Sequence, residues 1–152
     1  MTPRDAARLA RDLMNQHGAG GWAFAFDRAR RRFGCCQHRH HLITLSEPLT
    51  KLNSEAEVRD TILHEIAHAL VGPGAGHGIK WRQQAALIGA RPERCYSAKT
   101  VNTVTRPWMA TCPKCSQVFH RFRRPRRLRW CLCALAGYDP ALALVWRRNG
   151  AA

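Results

Sequence analysis

The stretch Thr61–Leu70, TILHEIAHAL, sets two histidines four residues apart within an apolar helical pattern. Upstream, Ser54 precedes Glu57 by three residues, the pattern of a capping box. Val58, Ile62, Ile66 and Ala69 then recur at the spacing of one buried helix face. Downstream, Gly72-Pro73-Gly74-Ala75-Gly76 cannot continue a helix. The helix is thus bounded at both ends, and the chain must turn just beyond the second histidine. No other feature restricts the fold as much. His77 stands past that turn, between Gly76 and Gly78, and a second helix is predicted over Ile79–Ile88, up to Gly89.

Histidines at i and i+4 share a helix face and can share a metal, but two imidazoles hold zinc poorly. A catalytic zinc site uses three protein ligands and keeps one open position. With His64 and His68 on the helix, the glycine-flanked His77 is the candidate for the third. Glu65 lies between the helical pair and can lean toward a water without being a ligand. Zinc in such a site polarises a carbonyl and brings the pKa of a bound water near ~7. Glu65 then serves as general base and returns the proton to a leaving amine, so peptide hydrolysis is the reaction implied. Eight residues separate His68 from His77, where the metzincin pattern has five. This is a zincin-type helix without the metzincin return. Trp81, four residues after His77, either walls the site or packs in the core.

The remaining pattern indicates an α+β domain over residues 1–104. Thr2-Pro3-Arg4-Asp5 opens a helix carrying Ala6, Leu9, Ala10, Leu13 and Met14 on one face, and Gly18 ends it. Trp22, Phe24 and Phe26 alternate as in a strand. A turn at Asp27–Arg30 and two short strands, in RRFGCC and HHLITLS, complete a small sheet expected to be antiparallel; Pro48–Leu52 reads as a short helical turn. No apolar run approaches the ~20 residues that span a bilayer. The N-terminal stretch also lacks the apolar centre of a secretion signal. A cytoplasmic monomer without membrane contact is expected.

Residues 105–152 differ in character. They hold ten Lys/Arg against one acid, Asp139, out of a chain net charge of +15. Six of those arginines, Arg121, Arg123, Arg124, Arg126, Arg127 and Arg129, fall within RFRRPRRLR. Such a segment is an electrostatic footprint for a polyanion, nucleic acid above all. Arginine forks suit phosphate, and Phe119, Phe122 and Trp130 among them suit stacking on unpaired bases. DNA that is single-stranded or distorted, bound without sequence preference, is the expected partner, which would place the protein on the nucleoid. The competing reading of the aromatics, Trp130 first, is the core of a small ribbon. Four of the seven cysteines stand here, as Cys112-x-x-Cys115 and Cys131-x-Cys133. The first pair is a good zinc knuckle. The second is one residue short of the usual spacing. Three arrangements remain open: all four cysteines on a structural zinc, His120 replacing one of them, or no metal.

Taken together, TILHEIAHALVG…GHGIKW, the preceding WAFAFDRARRRFGCC…LITLS with Ser46, and the cysteine pairs resemble the SprT-like (Spartan-related) zinc metalloproteases. The resemblance covers nearly the whole chain, with His64–Trp81 its most specific block. It implies a zincin-like metalloprotease fold, zinc on His64, His68 and His77, a catalytic Glu65, and a C-terminal zinc-ribbon-like basic segment. It also implies proteins bound or crosslinked to DNA as substrates, with DNA activating the protease, hence a role in DNA repair. The alternative is a basic zinc-ribbon protein on nucleic acid with an inactive protease-like domain. The intact His64, Glu65, His68 and His77 favour the enzyme. Cys35, Cys36, His38, His40 and His41 are read as surface or edge-strand residues. His17 caps a helix dipole. Tyr96, after Cys95, is a weak candidate for stabilising an oxyanion.

Overall fold

A computed structural model describes residues 1–93, 101–133 and 139–149; Cys95 and Tyr96 lie outside the described residues. The chain divides into two units, Met1–Val104 and Thr105–Ala152. Each is α+β or β in its own right and is described by itself.

The first unit begins with α1 (Pro3–Gln16), capped by Thr2, whose hydroxyl accepts from the Asp5 N–H at 3.2 Å. Its inner face, Ala6, Ala10, Leu13 and Met14, is buried. Three strands follow, β1 (Ala23–Asp27), β2 (Gly34–Gln37) and β3 (Leu42–Ser46), in the spatial order β1-β3-β2. The expected antiparallel pairing holds for β2 with β3, but β1 runs parallel to β3, so the sheet is mixed. The cause is where the apolar residues lie. Leu42–Ser46 is buried over nearly its whole length and takes the centre, leaving both half-exposed strands to flank it. The chain leaving β1 must therefore cross the end of β3 before descending as β2. Ser46 fastens that crossing: its hydroxyl donates to the Ala29 carbonyl at 2.6 Å and its N–H to that of Phe33 at 2.7 Å.

Helix α2 (Glu47–Leu52) is capped by the same Ser46. Ser54 caps α3 (Glu55–Val71) by accepting from the Glu57 N–H at 3.4 Å. Gly72 ends α3 at φ 85°, a backbone state glycine adopts without a Cβ penalty. Helix α4 (Ile79–Leu87) follows. Val58, Ile62 and Ile66 of α3, Ile43 and Leu45 of β3, and the inner face of α1 make one core with Trp81. Asn53, buried between α2 and α3, ties the distant segment at Asn102 to this core. Its Nδ2 donates to the carbonyls of Leu49 (2.8 Å) and Asn102 (2.9 Å), and its Oδ1 accepts from the Asn102 N–H at 2.7 Å. Asn53→Ala strands these partners. Chemical denaturation should show a loss of about 2–4 kcal/mol, far above the half kcal/mol of a surface change.

The second unit is a three-stranded antiparallel sheet of β4 (Trp108–Thr111), β5 (Val118–Arg121) and β6 (Arg147–Arg148), in the order β5-β4-β6. Among the described residues its core is Ala110, Cys112, Cys131, Leu142 and Leu144, with Phe119, Cys133 and Trp146 packed against them. Trp130 does not fill it. Alternation about the bridge Trp130–Ala143 turns the adjacent Cys131 inward and Trp130 outward, 37% exposed.

Candidate metal centres

Helix α3 presents His64 and His68 on one face, with ring centroids 5.1 Å apart. Past Gly72, Gly74 and Gly76, all at positive φ, the chain doubles back and brings in His77. Its Nε2 lies 3.0 Å from that of His64 and 3.1 Å from that of His68. Zn–N bonds of 2.0–2.1 Å at tetrahedral angles place ligand nitrogens about 3.3 Å apart. Both distances are close to that spacing, and all three nitrogens lie within 4.8 Å of one another. A hydrogen-bond reading serves them poorly, because one ring proton on His77 cannot satisfy two acceptors. Burial, then the neighbouring His77, pushes His64 down to about 4, and burial, then His64 and His77, does the same to His68. Both rings are therefore neutral donors at pH 7, the form a metal binds.

Trp81, fully buried, underlies the site, its ring centroid 4.6, 5.2 and 4.6 Å from those of His64, His68 and His77. It walls the site and fills the core at once. Its Nε1 is buried with no hydrogen-bond partner, so its place there rests on ring packing. Glu65 points from α3 toward β2 and is only 7% exposed. Burial pushes its carboxyl up to about 7, against the Cys36 backbone N–H that donates to it and the charge of Arg32. Histidines and carboxylate line a cleft of about 820 Å³.

Two features of this cleft escaped the sequence reading. Cys36, on the edge strand β2, and His38, just beyond it, line the cleft, with Sγ 3.7 Å from Nε2. The rim across from β2 is built by Arg91, whose N–H and Nε donate to Asp60 (2.8 and 2.9 Å) and whose Nη2 donates to Glu57 at 2.6 Å. The first had a legible signal, since glycine inside the strand pattern at FGCC marks a close approach. The second joins residues over 30 apart and had none.

In the second unit Cys112, Cys115, Cys131 and Cys133 converge, all four sulfurs within 4.8 Å of one another. Cys112 lies 3.6 Å from Cys133, and Cys115 lies 3.5 Å from Cys131. Zn–S bonds of 2.3 Å at tetrahedral angles give about 3.8 Å. The N–H groups of Cys115 and Lys114 point at the Cys112 sulfur and bring it down to about 6. The Cys133 N–H acts on the Cys131 sulfur in the same downward sense, so the shortened pair still makes its amide-to-sulfur turn, although burial and the neighbouring Cys115 and Cys112 sulfurs leave that thiol raised. His120 sits on β5 opposite Met109 and is not among the converging ligands.

Arg121, Arg123, Arg124, Arg126, Arg127 and Arg129 are all exposed. Three further arginines join them. Arg148 of β6 and Arg121 of β5 flank Trp108 across the sheet, Arg147 stands beside Arg148, and Arg106 lies over the Phe122 ring at 5.5 Å. Arg124 lies 5.6 Å from the Trp108 ring and Arg121 5.8 Å from that of Trp146. These rings hold guanidinium groups in place.

Among the described residues no helix is long and apolar enough to cross a membrane. The model of the SprT-like family matches residues 5–104. No curated protein matches the chain.

Proposed function

This chain belongs to the SprT-like family, whose membership points to a metalloprotease-type function, and we propose that it is a zinc-dependent endopeptidase with a zincin-like fold, acting on proteins bound to DNA. The observation that carries this reading is the convergence of three imidazole nitrogens on one point beside a buried carboxylate of the same helix.

His64, His68 and His77 would hold the zinc, which would supply a Lewis acid for the scissile carbonyl and acidify water. Glu65 takes a proton from the attacking water on its carboxylate and delivers it to the departing amine nitrogen. Its raised affinity for protons matches that double duty near neutral pH. Trp81 holds the three rings against rotation. The four cysteines would hold a structural zinc, which would stiffen the unit that carries the arginines. Those arginines, with Arg106, Arg147 and Arg148 added, engage phosphates along a DNA strand without reading bases.

The test is cleavage of a DNA-bound protein, and self-cleavage, with and without single-stranded DNA at two salt concentrations. Cleavage should rise with DNA, and the affinity for DNA should fall steeply with salt. If about six arginines contact single-stranded phosphates, log K falls with log salt at a slope near −4. Arg147→Gln with Arg148→Gln should flatten that slope by about 1.4. Cleavage indifferent to DNA, together with a flat salt response, sinks the DNA-directed part of the proposal.

A further inference from the structure

We infer that Gly34 is a positioning residue for Glu65, the absence of a side chain at this point of β2 creating the notch in which the carboxylate sits. The inference rests on Glu65 being the group that moves the proton.

A Cβ built on Gly34 would lie 2.7 Å from Glu65 Cγ, 2.7 Å from Oε1 and 3.0 Å from Cδ. Carbon atoms in contact ordinarily stand about 3.5–4.0 Å apart, so no alanine fits while Glu65 stays where it is. The three nearest atoms all belong to that one side chain. Backbone conformation gives no other reason for the glycine. Gly18, Gly72, Gly74, Gly76 and Gly89 have positive φ, and Gly34 is not among them. Gly34 opens β2, where glycine contributes no side chain to packing and loses more backbone freedom on folding than other residues. Space, and not dihedral freedom, accounts for it.

The same strand supplies a second constraint. Phe33 accepts the Ser46 N–H, so its main-chain groups face β3. In an antiparallel ladder the next outward-facing residues are Gly34 and Cys36. Cys36 directs its N–H at the Glu65 carboxylate. The notch therefore has a missing Cβ at one position and a hydrogen-bond donor two residues on. Glutamate has three side-chain torsions, and these two contacts select the setting that presents its oxygens to the cleft. The histidine nitrogens are held by α3, the glycine turn and Trp81, none of which is among the nearest neighbours of Gly34. A side chain at 34 should therefore separate the two halves of the site: metal retained, carboxylate displaced.

Gly34→Ala in the full chain tests this. Zinc content should equal that of wild type. In cleavage of heat-denatured casein kcat should fall about 100-fold with KM little changed, the cost of misplacing a reacting group by about 1 Å. The Cys36 amide resonance should move to its position in Glu65→Ala, a response that a merely structural role for Gly34 would not produce. Glu65→Ala removes all three atoms that the new Cβ would meet, so Gly34→Ala should cost much less stability in that background than in wild type. Should Gly34→Ala not fold, the double variant Gly34→Ala/Glu65→Ala decides: recovered folding supports the notch, and continued misfolding overturns it. An unmoved Cys36 amide with kcat within about threefold of wild type also overturns it. If wild type cleaves nothing, the protease reading fails, while the Cys36 amide still reports on the notch.

Discussion

Glu65→Gln should abolish cleavage while leaving both metal sites filled. Glu65 is not among the atoms that converge as ligands; those are Nε2 of His64, His68 and His77. An amide of the same shape keeps the contacts with β2 and the bond from Cys36, but it cannot take a proton. General acid–base catalysis contributes about 10²–10⁴ in rate, and here one group handles both proton transfers, so the upper end of that range is expected. Zinc analysis by mass spectrometry should give the wild-type stoichiometry, and thermal stability should not fall. The contrasting variant is His68→Ala, which should lose one zinc per chain and all activity. If Glu65→Gln cleaves a denatured protein as fast as wild type, the proton-transfer role assigned to Glu65 is wrong.

If the cysteine cluster holds the structural zinc proposed for it, loss of that metal should unfold residues 105–152 and leave the first unit standing. Among the described residues of the unit the buried core is Ala110, Cys112, Cys131, Leu142 and Leu144, two of which belong to the cysteine cluster. Domains this small seldom stand on their apolar core alone. Structural zinc contributes about 10–16 kcal/mol at pH 7 in comparably small folds, and that energy is folding energy. Cys133→Ala should therefore make the unit a ready substrate for trypsin, which cuts at its many arginines, while the fragment to about Val104 resists. His120→Ala should change neither metal content nor resistance, because its strand position keeps it out of the cluster. Dispersed Trp108 and Trp146 indole signals in the Cys133→Ala protein, with full protease resistance, would show that packing alone sustains this unit. DNA affinity should fall with the unit, since Arg121 and Arg148 are brought to either side of Trp108 only by the pairing of β5 and β6 with β4.

Local chemistry accounts for what could be read before the fold was known. Ser54 and Gly72 bound α3 because a hydroxyl cap and a residue free to adopt positive φ act within one helical turn. His64 and His68 share a face because a helix repeats every 3.6 residues. The glycines around His77 announce that the chain can return, and Cys112–Cys115 announces a turn that aims amides at sulfur.

The path of the sheet was not legible in the same way. Period-two alternation marks a strand but not its neighbour, and only the burial of β3 on both faces put it between β1 and β2 and reversed the expected sense of β1. Trp130 and Trp146 look interchangeable as apolar residues. The bridge to Ala143 and the inward turn of Cys131 decided which of them packs. From its residues alone, then, this protein carries the helical pair His64 and His68 and the Cys112–Cys115 knuckle as candidate metal ligands, since those depend on spacing within one turn of chain; the choice among four cysteines, His120 or no metal does not. The tertiary structure alone decided that Gly34 and the Cys36 N–H lie against Glu65, and that Arg147 and Arg148 join the basic surface. Contacts between segments about 30 residues apart follow from how a core closes, and no local pattern encodes that closure.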